Sequence, residues 1–145
     1  MPVYIYDFIQ DASGIYRPFI PIVAYNPIDN VQARTVALLD TGADTSVFPR
    51  WISDRTDHNL KGTGVESDIN QGLGNQMVST WKHSFIIKLV DPNDEDLIVW
   101  TGERCLVNCV DHNDTSAILG SENFLSNFKI TFDYHKLKIF IEVSD

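Results

Sequence analysis

The sequence predicts an all-β fold, a closed β-barrel-like domain with one or two short helices, on three observations. Short runs rich in β-branched and aromatic residues recur along most of the chain. Clusters of Gly, Pro, Asn and Asp separate these runs and mark turns between strands. Only two brief segments favour a helix, so strands must form the core. With 145 residues, 43% of them hydrophobic, residues 1–145 are expected to form one domain.

The N-terminal half is predicted to contain three strands, at residues 3–9, 16–25 and 34–39. Pro18 and Pro21 interrupt the second strand, and because proline cannot donate a ladder hydrogen bond, they favour an edge position. Residues 26–30 have the composition of a turn. The third strand ends in an apolar run, which predicts that its end is buried on both faces.

The remainder of the chain is predicted to form four strands, at residues 76–90, 97–110, 129–133 and 137–143. A short helix is expected to begin at Pro49, because proline fits the first turn of a helix. A second short helix is expected at residues 121–125, with Ser121 as its N-cap. Gly102 marks the position where the strand at residues 97–110 is expected to bend.

The charge distribution excludes two classes of partner. The formal net charge is −9, and no basic stripe interrupts the acidic residues. Such a domain repels phosphate backbones and anionic lipids, so neither nucleic acid nor a membrane is expected as a partner. The chain shows neither a signal peptide nor an apolar run of the ~18 residues that a membrane span needs, which favours a cytoplasmic location.

The two cysteines, Cys105 and Cys109, lie in a predicted strand. Residues four apart on a strand are about 13 Å from each other, too far for a disulfide within that strand. The spacing also lacks the second ligand pair of a zinc site, and the histidines form no metal-ligand spacing. We therefore expect free, buried, reduced thiols, no metal and no cofactor, which suits a cytoplasm-like compartment.

Residues 37–47 carry the motif with chemical meaning. Asp40 follows an apolar strand and begins a tight turn, so its carboxylate is expected beside the core rather than on a free surface loop. Gly42 permits a close backbone approach that other residues refuse, and the hydroxyl of Thr41 can form hydrogen bonds across a crowded site. The tripeptide alone is weak evidence, because an Asx turn in which Asp40 bonds its own backbone has the same sequence.

Two later segments add to the motif. Gly72, Leu73 and Gly74 lie about 30 residues beyond Asp40 and lead into a predicted strand. The tip of a lid over a peptide needs mobile glycines and free backbone groups, although an ordinary hairpin turn has the same composition. Residues 117–120, Ala-Ile-Leu-Gly, precede the second predicted helix, and core packing alone would also explain that tetrapeptide.

In this order the three segments resemble the retroviral-type aspartic proteases, the retropepsins. The family pattern is an apolar pair, then Asp-Thr/Ser-Gly-Ala and a polar or acidic residue, and residues 38–44 match it throughout. Residues 71–75 are similar to the glycine-rich tip of the family's flap, and residues 117–120 to a strand beneath the catalytic turn. The resemblance covers roughly residues 3–134 and implies an acid-protease lobe that works as a homodimer.

The resemblance implies an aspartic endopeptidase that cleaves an extended peptide or protein. Such enzymes use two carboxylates that share one proton, because like charges about 3 Å apart cannot both ionise. This chain has one Asp-Thr-Gly, and its nearest echo, which begins at Asp114, lacks the glycine. A homodimer would therefore bring two copies of the aspartate together on its two-fold axis. The implied catalytic residues are Asp40, Thr41 and Gly42, and the implied substrate-binding residues are Ala43, Asp44, Gly72, Leu73, Gly74 and Ile118.

Two features depart from the family pattern. Ser121 stands where many retroviral members have an arginine that anchors an acid of the active-site loop, which bears on the role of Asp44. Residues 136–143 add a strand near the C-terminus, in the region where the usual dimer interface is built from interleaved termini.

The sequence leaves two other functions open. A catalytically silent module of this fold could bind a peptide or dimerise without cutting, although Asp40, Thr41 and Gly42 are all intact. A domain cut from a viral or transposon polyprotein would share the chemistry, and the Met1 start favours a stand-alone protein.

Overall fold

The computed structural model describes residues 1–71 and 77–144. In chain order its strands are β1 (Val3–Asp7), β2 (Ile9–Gln10), β3 (Tyr16–Arg17), β4 (Phe19–Asn26), β5 (Val31–Leu39), β6 (Val47–Phe48), β7 (Ser67–Gln71), β8 (Met77–Val90), β9 (Ile98–Thr101), β10 (Cys105–Cys109), β11 (Ala117–Leu119), β12 (Lys129–Asp133) and β13 (Lys138–Glu142). Among these residues, helix is limited to α1 (Arg50–Arg55), with Pro49 as its N-cap, and a 3-10 helix at Leu125–Asn127. Neither helix is long and apolar enough to cross a membrane.

Six strands close into a barrel in the order β10-β6-β11-β5-β4-β8, and β8 pairs back to β10. β11 lies between β5 and β6; it is parallel to β5, with Leu119 beside Leu39, and antiparallel to β6. The long β8 pairs in turn with β7, β10, β4 and β9. This architecture confirms the predicted all-β lobe with a closed barrel and very little helix.

Alternate side chains of the strands fill the barrel. On β8, residues 83, 85, 87 and 89 are buried, whereas the residues between them are partly exposed. Phe85 and Phe48 are fully buried and meet edge to face, with ring centroids 5.0 Å apart. Burying a side chain of this size contributes on the order of 1.5–3 kcal/mol to the stability of the fold. The packed core therefore fixes the strand ends from which the loops begin.

The two chain ends form a separate antiparallel sheet in the order β1-β13-β12. Ile139 and Ile141 of β13 are buried, and the Tyr6 hydroxyl donates a hydrogen bond to the Val90 carbonyl oxygen at 2.6 Å. That bond joins the sheet to the end of β8. Because β1 pairs with β13 of the same chain, the terminal strands already have partners within one subunit.

The edge position predicted for the proline-containing strand is wrong. β4 lies between β5 and β8 within the barrel. Pro18 precedes the strand, and Pro21 pairs with β5 alone, because β8 pairs only with residues 22–25 of β4. The missing N–H of Pro21 therefore falls on a stretch that has a single neighbour, where proline is tolerated.

The single strand predicted at residues 97–110 is two strands, β9 and β10, separated by residues 102–104. Gly102 lies at the break, and its N–H donates to the Ile87 carbonyl oxygen at 3.0 Å. A Cβ on Gly102 would lie 2.6 Å from the Trp100 ring. The Trp100 ring therefore packs against the backbone at the point where β9 ends. The bend expected in one long strand is a complete break between two strands.

The helix predicted at residues 121–125 is also wrong. Residues 121–124 form turns, and the short 3-10 helix begins only at Leu125. Phe124 has φ −136°, outside the helical range. Its buried ring packs 4.9 Å from Phe128 and 5.5 Å from Trp100, measured between ring centroids. Anchoring of that ring in the core outweighs the N-cap preference of Ser121.

Both cysteines are free, with Cys109 buried and Cys105 half-buried. Burial raises the pKa of the Cys105 thiol and raises the pKa of the Cys109 thiol to about 12. Both thiols are therefore protonated at neutral pH. Because the thiolate is the reactive species, neither cysteine is suited to act as a nucleophile.

His58 packs against His83 of β8, with ring centroids 4.6 Å apart. Nε2 of His58 lies 3.0 Å from the Ser84 carbonyl oxygen, and Nε2 of His83 lies 2.9 Å from the Leu60 carbonyl oxygen. Because a carbonyl oxygen only accepts, both Nε2 atoms carry a proton. Burial first, and then the charge of His83, lower the pKa of His58.

This lowered pKa predicts that acid destabilises the protein through His58. The unfolded chain takes up the proton at about pH 6.5, so the stabilisation is complete above that pH and is lost as pH falls through the lower folded-state pKa. Between pH 7.5 and 5.5, His58→Gln should lose less unfolding free energy in urea titrations than wild type. His135→Gln, at an exposed position, should behave as wild type. Equal losses in all three proteins would contradict the assignment.

Candidate active site

Asp40 follows the last residue of β5 and is fixed by the strands on both sides of β5. The N–H of Leu39 donates to the Pro18 carbonyl oxygen at 3.0 Å, and the N–H of Asp40 donates to the Leu119 carbonyl oxygen at 3.1 Å. Leu39 and Leu119 are buried, and Asp40 is half-buried. The apolar run before the motif therefore holds this carboxylate beside the core.

The carboxylate of Asp40 is oriented by its own turn. Its Oδ1 accepts the Gly42 N–H at 2.9 Å, and the Asp40 carbonyl oxygen accepts the Ala43 N–H at 3.2 Å. A Cβ on Gly42 would lie 3.3 Å from Oδ1, which is tight. No residue that the structure describes forms a hydrogen bond with Oδ2. The Asx turn is thus present, and it leaves one carboxylate oxygen available to water or to another acid.

The chain after β11 braces the turn from one side. The Ser121 N–H donates to the Ala43 carbonyl oxygen at 2.9 Å, and the Glu122 N–H donates to the Asp44 carbonyl oxygen at 2.8 Å. Ser121 therefore stabilises the turn through its backbone N–H, at the position where the family resemblance implies an arginine side chain. The carboxylate of Asp44 is exposed.

Gly120 lies against the backbone of the same turn. A Cβ on Gly120 would be 2.5 Å from the Thr45 carbonyl carbon and 2.6 Å from the Thr45 carbonyl oxygen. Real Cβ atoms do not approach backbone this closely, so only glycine fits without displacing one of the two segments. This crossing is the packing reason for the glycine in the predicted 117–120 segment.

A partly buried hydrogen-bond network supports the turn, and the sequence did not predict it. The Ser46 hydroxyl donates to Asn123 Oδ1 at 2.7 Å and accepts the Gly120 N–H at 3.1 Å. The Ser46 N–H donates to the same Oδ1 at 3.0 Å, and Asn123 Nδ2 donates to the Leu106 carbonyl oxygen at 3.0 Å. Ser46 and Asn123 are 77 positions apart, and the only signal was a polar residue immediately before an apolar pair.

Ser46→Ala is expected to destabilise the protein by about 1–3 kcal/mol, because it leaves the buried Gly120 N–H without its acceptor. Ser126→Ala removes an exposed hydroxyl and should change stability by less than about 0.5 kcal/mol. Urea unfolding followed by tryptophan fluorescence measures both effects. If the two variants were equally stable, the network would not be what holds the turn.

The structure brings the predicted residues 40–44 together in one turn, in which Thr41 and Asp44 are exposed and Ala43 is half-buried. The predicted Ile118 is half-buried in the adjacent β11, opposite Leu38 of β5. These residues therefore lie near one another, and their role as one site stays a prediction.

The predicted flap tip lies outside the described residues; it comprises Gly72, Leu73 and Gly74. The strands that flank it are described, since β7 and β8 pair antiparallel as far as Gln71 opposite Met77. β7 and β8 therefore form an antiparallel pair on either side of the predicted flap tip.

A cavity of about 500 Å³ opens beside the Asp40 turn, between that turn, the β7–β8 pair and β10. Its lining residues are Asp44, Thr45, Asp68, Lys82, Leu106, Asn108, Glu122 and Asn123. A second cavity, of about 470 Å³, lies on the β7–β8 pair and shares Asp68 with the first. Cavities of this size fall within the range that holds ligands or substrate side chains.

A half-buried carboxylate with a free oxygen can remove a proton from water or share a proton with another acid. One chain offers a single carboxylate of this kind at the turn. In the part of the chain that the structure describes, no group of three or more His, Cys, Asp or Glu side chains could hold a metal ion.

Known proteins resemble this chain in structure, whereas sequence comparison finds no relative. No model of a known protein family matches the sequence, and no curated protein matches it. A retropepsin-like aspartic protease from Rickettsia conorii superposes with a TM-score of 0.56 at 14% identity, covering 97% of this chain and 91% of that one. The EIAV protease, solved with an inhibitor, gives a TM-score of 0.47 at 21% identity, covering 73% of this chain and 83% of that one. The first likeness shows that the chain has the fold of a retropepsin-like lobe.

Proposed function

We propose that this protein is an aspartic endopeptidase that acts as a homodimer, with one Asp40 from each subunit. The observation that carries the proposal is the Asp40 turn, an intact Asp-Thr-Gly whose carboxylate keeps one free oxygen. The fold shared with a retropepsin-like protease supports the same reaction class. Because folds host many functions, the residues of the turn carry more of the argument than the fold.

In the proposed reaction, the ionised Asp40 takes a proton from a water molecule as the water oxygen bonds to the peptide carbonyl carbon. The protonated Asp40 of the other subunit donates its hydrogen to the carbonyl oxygen and stabilises the charge that develops there. The tetrahedral intermediate collapses when the C–N bond breaks, as the leaving amine receives a proton from the first carboxyl group and the second carboxylate takes back a proton from one hydroxyl of the intermediate, which restores both groups to their starting states. Two-fold symmetry makes the two aspartates equivalent, so either can begin as the acid.

A second chain is the proposed source of the second carboxylate. The nearest sequence echo, at Asp114, lies in an exposed loop, and its side chain is 95% exposed. It has none of the backbone support that holds Asp40. A pair of Asp40 turns on a two-fold axis would place both carboxylates in one shared, equivalent environment.

The proposed substrate is an extended peptide that lies between the two Asp40 turns and the β7–β8 hairpins. Backbone hydrogen bonds would hold such a peptide as an added strand. Ala43, Asp44 and Ile118 would contact its side chains, and the hairpin tip at residues 72–74 would close over it as a flap. Thr41 would bond across the two-fold axis.

The dimer contact would not need exchanged terminal strands. β1 and β13 already pair within the chain, and β1 is an edge strand of the terminal sheet. Val3 and Ile5 on β1 are 47% and 48% exposed. An edge with free backbone groups and exposed apolar side chains can pair with a second copy, so we place the contact there.

The test is digestion of a mixed peptide library by wild type, from acid to neutral pH, with and without an active-site inhibitor of aspartic peptidases. We expect cleavage by wild type that the inhibitor blocks, from a protein that sediments as a dimer. A folded dimer that cleaves nothing at any pH would favour a catalytically silent peptide-binding module. Cleavage by a strictly monomeric chain would overturn the two-subunit mechanism.

A further inference from the structure

We propose that the 500 Å³ cavity beside the Asp40 turn is a specificity pocket that takes a basic side chain, lysine or arginine, of the peptide. The inference rests on the proposed peptidase function and adds the class of substrate that this chain selects. It is carried by the position of the cavity, the charges around it and the hydrogen-bonding groups left free in its lining.

The cavity lies where a peptide in the site would place a side chain. Asp44 and Thr45 in its wall belong to the loop that carries Asp40. Lys82 of β8 is directly opposite Asn108 of β10, so both side chains stand on the same face of the sheet. β7 adds an aspartate and the turn after β11 adds a glutamate, which closes the remaining sides.

The charge of the lining is negative. Three carboxylates, those of Asp44, Asp68 and Glu122, face one ammonium group, that of Lys82, which leaves a formal charge of −2 (one minus three). That ammonium group is itself engaged, because it lies 3.4 Å from the carboxylate of Glu66. A peptide side chain that enters the cavity therefore meets an excess of negative charge.

None of these three carboxylates forms an ion pair with a residue in the described ranges 1–71 and 77–144. No described residue forms a hydrogen bond or ion pair with the carboxylate of Asp44 or Glu122. Among the residues that the structure describes, the carboxylate of Asp68 accepts only the N–H of Ile69, at 2.8 Å. The arginine that the family resemblance places near Asp44 is absent, since Ser121 occupies its position. These acids are thus available to a cation from outside.

The neutral part of the lining also suits a basic side chain. Asn108 Nδ2 donates to Thr45 Oγ1 at 2.7 Å, and Asn123 Nδ2 donates to the Leu106 carbonyl oxygen at 3.0 Å. One N–H of each amide is therefore engaged. Asn123 Oδ1 already accepts two bonds from Ser46, whereas no described residue donates to Asn108 Oδ1, so that oxygen can accept from a basic side chain. Leu106 is 52% exposed and offers apolar surface to the aliphatic stem of lysine or arginine. An acidic side chain would be repelled, and a neutral one would leave the carboxylates without a partner.

The test is a set of octapeptides that differ at one position, which carries arginine, citrulline or glutamate and is moved along a cleavable sequence. At one position we expect kcat/KM for arginine to exceed that for citrulline, its neutral isostere, by about ten-fold at low salt. The difference should shrink as ionic strength rises, because exposed charges are screened. Glu122→Gln and Asp68→Asn should each reduce the ratio of kcat/KM for the arginine peptide to that for the citrulline peptide.

The matched control is Glu95→Gln, which removes the same charge from an exposed position outside the cavity and should keep the full preference. Cleavage with equal rates for arginine and citrulline would overturn the pocket and leave the peptidase intact. Binding of the labelled peptides, followed by fluorescence anisotropy, separates the remaining cases. If nothing is cleaved, but Glu122→Gln and Asp68→Asn weaken a preference for binding arginine and Glu95→Gln does not, the pocket stands and the peptidase falls. Equal binding without cleavage would overturn both.

Discussion

Mixtures of wild type and Asp40→Asn are expected to keep activity in proportion to the square of the wild-type fraction. If each subunit supplies one carboxylate, an equal mixture with free subunit exchange holds one quarter wild-type dimers, and only these carry two acids. Pure Asp40→Asn should be slower than wild type by at least ~10³-fold, because asparagine neither accepts nor donates the proton. An enzyme whose chains worked independently would keep half its activity in the same mixture.

The measurement is the initial rate of peptide cleavage across mixtures of the two proteins at constant total concentration, after equilibration long enough for subunits to exchange. Asp114→Asn is the matched control, because it makes the same change in the Asp-Thr-Ser echo at an exposed position. Mixtures of wild type with Asp114→Asn should keep full activity. A linear fall with Asp40→Asn would contradict the shared site, provided that sedimentation shows mixed dimers.

The parts of the fold that the sequence predicts well are those that local pattern decides. β12 was predicted with the bounds that the structure has, because alternating residues between turn signals fix a strand at short range. β4 was assigned to an edge because prolines usually avoid central strands. Its true position depends on where β8 stops pairing, and that register is a property of the tertiary structure.

The candidate site also has parts that a local pattern predicts and parts that depend on the tertiary structure. Residues 40–44 are contiguous in sequence, so a short motif was enough to find the turn. The Ser46–Asn123 bond joins residues 77 positions apart, and neither residue is unusual in its own surroundings. Contacts of this kind arise only when β11 is inserted between β5 and β6, a topology that no local pattern shows. Of the three carboxylates around the cavity, Asp44 belongs to the predicted motif, whereas Asp68 and Glu122, which come from two other segments, were missed for the same reason.

Gly120→Ala is expected to reduce stability by about 1–3 kcal/mol and to reduce activity at the same time. The added Cβ would lie 2.5 Å from the Thr45 carbonyl carbon, and the Thr45 atoms that it would meet are all backbone. A flexible side chain could move aside, but backbone can move only if its hydrogen bonds give way. On one side of Gly120, Leu119 accepts the Asp40 N–H, and on the other side Ser121 donates to Ala43.

Relief of this overlap must therefore stretch a bond that positions the Asp40 carboxylate, which is why stability and activity should fall together. Urea unfolding gives the first quantity, and kcat/KM on a cleavable peptide gives the second. Ser121→Ala, at the next position, leaves the backbone bonds in place and should change stability by less than about 0.5 kcal/mol. A Gly120→Ala protein that was less stable yet fully active would mean that the strain is absorbed away from the turn. The close crossing would then serve folding and not the placement of Asp40.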